Sequence, residues 1–293
     1  MRRPIWRVWL ALLPLLAAGC GPVKTTRVVR PEEIRPALEA TRDALLAQYN
    51  QLARSIRSLN AKVEMSPVAG SSYTGVIEEY HDVSGFVLAQ KPSSIRLIGQ
   101  APVLAKNIFD MVSDGETFRI YIPSKNKFMV GPAALERPAK KPIENLRPQH
   151  LLDALFWPEI DPRQQVIFEE FNADPNRYYI LTLVRGISSL EVVRRIWFDR
   201  ADLSLARVQL YGPGGRLLSE IRYADWQPAG NTRFPLHILL ERPHDDYRLD
   251  IRVIQVTLDQ EIAAERFQLE QPAGAELVRL GEEAKDAPAA VKP

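Results

Sequence analysis

Apolar residues recur at helical spacing between Ala37 and Leu59. Leu38, Leu45, Leu46, Tyr49, Leu52, Ile56 and Leu59 gather on one side, while Glu39, Arg42, Asp43, Gln48, Arg54 and Arg57 lie mostly on the other. The pattern predicts an amphipathic helix whose apolar face covers its own domain, a commoner use of such a face than lying on a membrane. From Asn60 the period changes to two. Short strands are predicted over 61–66, 75–82, 85–90, 94–100, 106–113, 117–123 and 127–131, and a longer set over 165–172, 178–184, 191–199, 206–211, 217–226, 235–241 and 247–258. In the last strand Tyr247, Leu249, Ile251 and Val253 alternate with Arg248, Asp250 and Arg252, so one sheet face is dry and the other wet. Asp114-Gly115 and Gly212-Pro213-Gly214-Gly215 supply the chemistry of tight turns.

The two strand sets are separated by a long loop over 133–148, with Pro138, Pro142 and Pro148, and by a short helix over 149–157 whose Leu151, Leu152, Leu155 and Phe156 are apolar. A helix inserted there packs on a sheet or plugs an opening. Without interleaved helices the strands do not form a parallel sheet. The fold class predicted is mostly β (α+β), a half-open antiparallel β-barrel or strongly curved sheet of roughly eleven or more strands, covered by the N-terminal helix and the short plug helix.

The N-terminus changes the picture. Arg2, Arg3 and Arg7 precede the apolar run Val8 to Leu16, and Ala17-Ala18-Gly19 lead into Cys20, the only cysteine. These are the charged, apolar and small-residue regions of an export signal, too short to span a bilayer. The segment resembles a bacterial lipoprotein signal, which implies lipidation of Cys20, and Gly21 after it favours the outer membrane by the same resemblance. The organisation expected is a signal peptide over 1–19, a flexible tether over 20–36 carrying the lipid anchor at Cys20, a β-barrel domain over 37–280 and a disordered tail over 281–293. The chain has 38 basic and 36 acidic side chains, and loss of Arg2, Arg3 and Arg7 with the signal leaves 35 against 36. A near-neutral protein lacks the phosphate-neutralising charge of a nucleic-acid binder.

Catalytic chemistry has no local signature here. His81, His150, His237 and His244 are scattered, and with one cysteine they make no metal site by spacing. Adjacent acids such as Glu78-Glu79 and Glu169-Glu170 fall on opposite faces of a strand. There is no nucleophile elbow, phosphate loop, dinucleotide fingerprint or zincin motif. The expectation is therefore a protein that is not an enzyme and uses no cofactor.

Two stretches carry a family likeness. Ser94 to Ala105, with Arg96, Leu97 and Ile98 leading to Pro102-Val103-Leu104, precedes the strand 107–112 and the Asp114-Gly115 turn; Ile196-Trp197-Phe198-Asp199 is followed by Arg207, Gly214-Gly215, Tyr223-Ala224-Asp225, Phe234-Pro235 and Phe267. This succession resembles the LolA/LolB-like superfamily of lipoprotein localisation factors, closest in pattern to LolB-like outer-membrane lipoproteins. The resemblance implies a concave face that holds acyl chains, lined by Leu97, Phe109, Met111, Phe118, Ile120, Ile196, Phe198, Tyr223, Leu249 and Ile251, with Leu152 and Phe156 on the plug. It also implies that Pro102, Val103 and Leu104 form a membrane-insertion loop. The partners implied are membrane lipid through acylated Cys20, a hydrophobic acyl ligand or lipoprotein cargo, and a periplasmic carrier protein, with the protein itself a monomer facing the periplasm from the outer membrane. An alternative stands beside this reading: a non-catalytic envelope interaction or stress-sensing module with a filled barrel.

Overall fold

The computed structural model describes residues 36–71, 76–79, 82–101, 106–133, 147–173 and 176–280. The first helix, α1 (Arg42–Ser55), is capped by Thr41, whose Oγ1 accepts from the Ala44 amide at 3.2 Å, with Asp43 in its first turn and Arg54 in its last. It buries Leu45, Tyr49 and Ala53. The helical pattern extends further than the helix does. Ile56 is already extended, and Ser58 and Leu59 pair within the sheet, because Leu59 also starts the alternation Leu59, Ala61, Val63, Met65 that buries one strand face.

The strands are β1 (Ser58–Ser71), β2 (Val76–Glu79), β3 (Val83–Gln90), β4 (Ser94–Gln100), β5 (Asn107–Ser113), β6 (Thr117–Ile122), β7 (Lys127–Pro132), β8 (Gln165–Ala173), β9 (Asn176–Arg185), β10 (Glu191–Asp199), β11 (Leu205–Tyr211), β12 (Leu217–Ala229), β13 (Thr232–Arg242), β14 (Tyr247–Leu258) and β15 (Glu276–Arg279), with α2 (Pro148–Leu155) between β7 and β8. All belong to one curved, unclosed sheet in the order β15-β7-β6-β5-β4-β3-β1-β14-β13-β12-β11-β10-β9-β8, with β2 paired to β1 off this path. The fold class read from the alternation is the fold observed.

The two strand sets are welded where β1 pairs with β14, from Leu59↔Leu258 to Ala69↔Tyr247, with a bulge between Lys62 and Val63. The neighbours β3 to β7 and β8 to β13 then follow as meanders, several of them joined by short turns within the described residues. At one such turn the Asp114 carboxylate accepts from the amides of Thr117 at 2.8 Å and Glu116 at 2.9 Å, and Gly115 supplies φ +99°. Those backbone donors hold the Asp114 carboxyl below its ordinary range.

One pairing departs from the antiparallel expectation. After β14 the chain returns across strands of the first set and adds β15 parallel to β7, from Glu276↔Lys127 to Arg279↔Val130. Side chains tie this strap down: Ser58 Oγ donates to Gln260 O at 2.6 Å, Arg96 Nη1 to Arg266 O at 3.0 Å and Asn126 Nδ2 to Gly274 O at 2.8 Å. A four-residue strand held by distant side chains leaves no alternation long enough to read in sequence.

Candidate functional site

Alternation along each strand sends every second residue to the inner face, and the registers line those residues into rows. Ala61, Val87, Leu97, Met111 and Ile120 face one another across β1, β3, β4, β5 and β6. Leu181, Ile196, Val208, Ile221, Leu240 and Leu249 do the same across β9 to β14, and Tyr223, Ile238 and Ile251 form a parallel row beside them. The candidate lining residues thus share one apolar interior. Leu97, Met111, Phe118, Leu152, Phe156, Ile196, Phe198, Tyr223, Leu249 and Ile251 are buried in a single cluster, and Phe109 and Ile120 pack against it half-buried.

Phe109 is seated by glycine. It pairs with Gly99, which pairs with Gly85, and a Cβ on Gly99 would come within 2.4 Å of the Phe109 ring. The bare backbone lets the ring lie flat against the sheet.

The interior is closed by α2 and the chain that follows it. Leu151, Leu152, Ala154, Leu155, Phe156, Trp157 and Ile160 are all buried, and α2 packs on β4 and β5 from one strand set and β13 from the other. Pro148 stands at its first position, where no amide donor is needed. Leu151, Trp157, Ile160 and, from α1, Leu45 and Tyr49 are buried in the same cluster as the residues singled out from the sequence. The apolar Leu155-Phe156-Trp157 run before Pro158 was the signal available for them.

Polar groups fasten this plug. Trp157 Nε1 donates to the Tyr223 hydroxyl at 3.0 Å, and the Tyr247 hydroxyl is hydrogen-bonded to His150 Nδ1. Arg147 lies over the Phe118 ring at 5.0 Å. Asn50 of α1 binds Ile160 twice, Nδ2 donating to the carbonyl at 3.0 Å and Oδ1 accepting from the amide at 2.8 Å. Arg194 Nη1 reaches both Tyr49 Oη and Pro158 O at 3.3 Å.

Burial pushes the His150 imidazole well below its ordinary value, aided by the Arg242 and Arg147 charges, so the ring is neutral. Burial likewise pushes the Tyr223 and Tyr247 phenols up. Asp153, on the outward side of α2, touches water but is crowded by surrounding chain, and desolvation raises its carboxyl to about 6.

The opposite sheet face carries two adjoining clefts of about 400 and 260 Å³ that share Asn60, Leu88, Thr257 and Arg266. Among the described residues no cluster of three or more histidine, cysteine or acidic side chains is placed to hold a metal ion. His237 is hydrogen-bonded to Asp250 at 3.0 Å. Cys20, the Pro102-Val103-Leu104 loop, the loop over 134–146 and the tail over 281–293 lie outside the described residues.

No family model matches the chain, and no curated protein matches it in sequence. Among solved structures it is similar to a DUF1329 family protein from Desulfovibrio piger at 13% identity, over 76% of this chain and 94% of that one, with a TM-score of 0.50. It is also similar to a LolA superfamily protein from Nitrosomonas europaea at 13% identity, over 79% of this chain and 99% of that one, with a TM-score of 0.48. At such identity the likeness to the Desulfovibrio piger protein is one of fold alone.

Proposed function

We propose that this chain, with its unclosed sheet wrapped on an apolar interior, is a lipid-anchored envelope protein that takes up acyl chains of lipids or lipoproteins without catalysis. The observation that carries the reading is the plug. A whole buried face of the interior comes from α2 and the residues after it, an inserted segment seated through Leu151, Leu155 and Trp157 and not a strand of the sheet. An acyl chain that displaced that face would bury its methylenes against Leu97, Met111, Phe118, Ile196 and Phe198, at about 0.8 kcal/mol per CH₂. The latches at His150–Tyr247 and Trp157–Tyr223 would set how readily the exchange occurs.

In this reading Cys20 carries the lipid that holds the protein at the periplasmic side of the outer membrane, and Pro102-Val103-Leu104 meets the bilayer when cargo is delivered. The second reading, an interaction module, is favoured by the same interior: Leu151, Phe198, Phe234 and Trp157 already fill it.

Native mass spectrometry of the mature chain with Cys20→Ala, followed by solvent extraction, separates the two. Co-purified acyl lipid that is lost when Phe118→Trp or Phe198→Trp fills the interior is the expected result. An empty protein that also excludes an added fluorescent fatty acid would overturn the carrier and leave the module. Anchoring is tested separately, by whether Cys20→Ala moves the protein from the membrane to the soluble fraction.

A further inference from the structure

Strand β8 ends the sheet. Among the described residues it pairs with β9 alone, in an unbroken antiparallel register from Gln165↔Val184 to Ala173↔Asn176. An edge strand presents a row of unpaired backbone donors and acceptors, and soluble proteins blunt such edges with short strands, prolines, bulges or charges. The opposite edge is blunted in this way, because β15 is four residues long and bounded by Glu276 and Arg279. Strand β8 has nine residues, no proline and no bulge. Ile167, Phe168 and Phe171 are 47%, 37% and 41% exposed along it, on both faces of the strand. Its two acids do not guard it. Glu169 Oε2 accepts from Thr182 Oγ1 at 2.7 Å, and Glu170 Oε1 accepts from Asn172 Nδ2 at 2.8 Å and from Arg200 Nη1, so both charges are turned back onto their own sheet.

We propose that a second copy of this chain pairs with this edge, β8 to β8, antiparallel about a two-fold axis at Ile167. A symmetric pair of strands is self-complementary, and an axis normal to the sheet keeps each face on its own side, so only residues of the same parity oppose one another. That leaves few registers. An axis at Glu169 uses the whole strand but sets Glu169 directly against its own copy, like charge on like charge. An axis at Phe168 sets Ile167 against Glu169 and Val166 against Glu170. The axis at Ile167 sets Ile167 against itself, Val166 against Phe168 and Gln165 against Glu169, and Gln165 is where the strand begins after the turn over 161–164.

In this register apolar meets apolar at Ile167, Val166 and Phe168, and no like charges face each other. The expectation of a monomer took no account of a bare edge, which exists only once β9 has claimed one side of β8.

The test uses the mature chain with Cys20→Ala, which is free of cysteine. Sedimentation velocity should show a concentration-dependent dimer, and Ile167→Lys, which sets two ammonium groups at the axis, should weaken it by about tenfold or more with an unchanged melting temperature. Independently, Ile167→Cys should cross-link to its own copy under mild oxidation, because directly opposed residues of an antiparallel pair lie within disulfide reach. Phe171→Cys should not. A monomer at every concentration, a dimer indifferent to Ile167→Lys, or preferential cross-linking of Phe171→Cys would overturn the proposal. None of these readouts depends on lipid uptake, so the dimer and the acyl-chain reading stand or fall separately.

Discussion

Gly99 shows how a single absent side chain shapes the interior. Its Cβ would stand within 2.4 Å of the Phe109 ring, so Gly99→Ala forces the ring off its seat and should destabilise by about 1–3 kcal/mol, read as a shift of the urea midpoint without a change in slope. Two titratable groups on one helix act in opposite senses. His150 is neutral in the folded protein because burial lowers its pKa below the unfolded value near 6.5, so the unfolded chain binds the extra proton and stability falls as pH drops below about 6.5. The Asp153 carboxyl, raised to about 6, binds a proton in the folded state first, so its cost is present at pH 7 and is relieved as pH falls through about 6. Melting curves between pH 7 and pH 5 should therefore lose stability more steeply in Asp153→Asn than in the unsubstituted protein, and less steeply in His150→Gln.

At the scale of elements, α1 and the exit of α2 are held to each other by Asn50, whose amide imitates a backbone pair with Ile160. Asn50→Ala removes both bonds and leaves a half-buried amide and carbonyl without them, a loss of about 1–3 kcal/mol. Hydrogen exchange at Ile160 should accelerate in that variant while β1 and β14 keep their protection. The plug itself is apolar packing. Leu151 is fully buried, and Leu151→Ala should cost about 2–5 kcal/mol, near the top of that range if the surrounding rows hold their places. Arg96 links two elements by another route. Its Nε and Nη2 grip Asp110 at 3.0 and 2.7 Å on β5 while Nη1 holds the Arg266 carbonyl of the returning strap.

For the whole molecule, the acyl-chain reading makes opposing demands on the plug and on the cavity. Leu152→Ala thins the plug, so it should lower the melting temperature of the empty protein while raising its affinity for a fluorescent fatty acid. Phe118→Trp should reduce that affinity. If the two variants move affinity in the same direction, the ligand does not share the interior with α2. Lipid-bound protein should also expose α2 to exchange, since displaced helix amides lose their partners. An unclosed sheet of this size is stable only because its inner face is covered by α1 and α2 and its halves are joined through β1 and β14.

Local chemistry alone determined a good part of this. Period-two alternation placed nearly every strand, since burial of one face repeats every second residue whatever the neighbours are, and the apolar runs at Leu45–Leu52 and Leu151–Phe156 marked both helices. Leu97, Met111, Ile196 and Leu249 are buried on the inner face for the same reason. What tertiary structure decided was everything that depends on partners distant in sequence. The α1 pattern stops short at Ser55 because β3 and β14 pair with Ser58 and Leu59. The parallel β15 exists because Lys127 to Val130 offered a free edge. Tyr223 is expected among the lining and Tyr247 falls on the dry face of its strand, yet their hydroxyls are hydrogen-bonded to Trp157 and His150. The bare edge at β8 is likewise a property of topology: alternation fixes which face of a strand is buried, while only the order of strands in the sheet decides which of them is left without a neighbour.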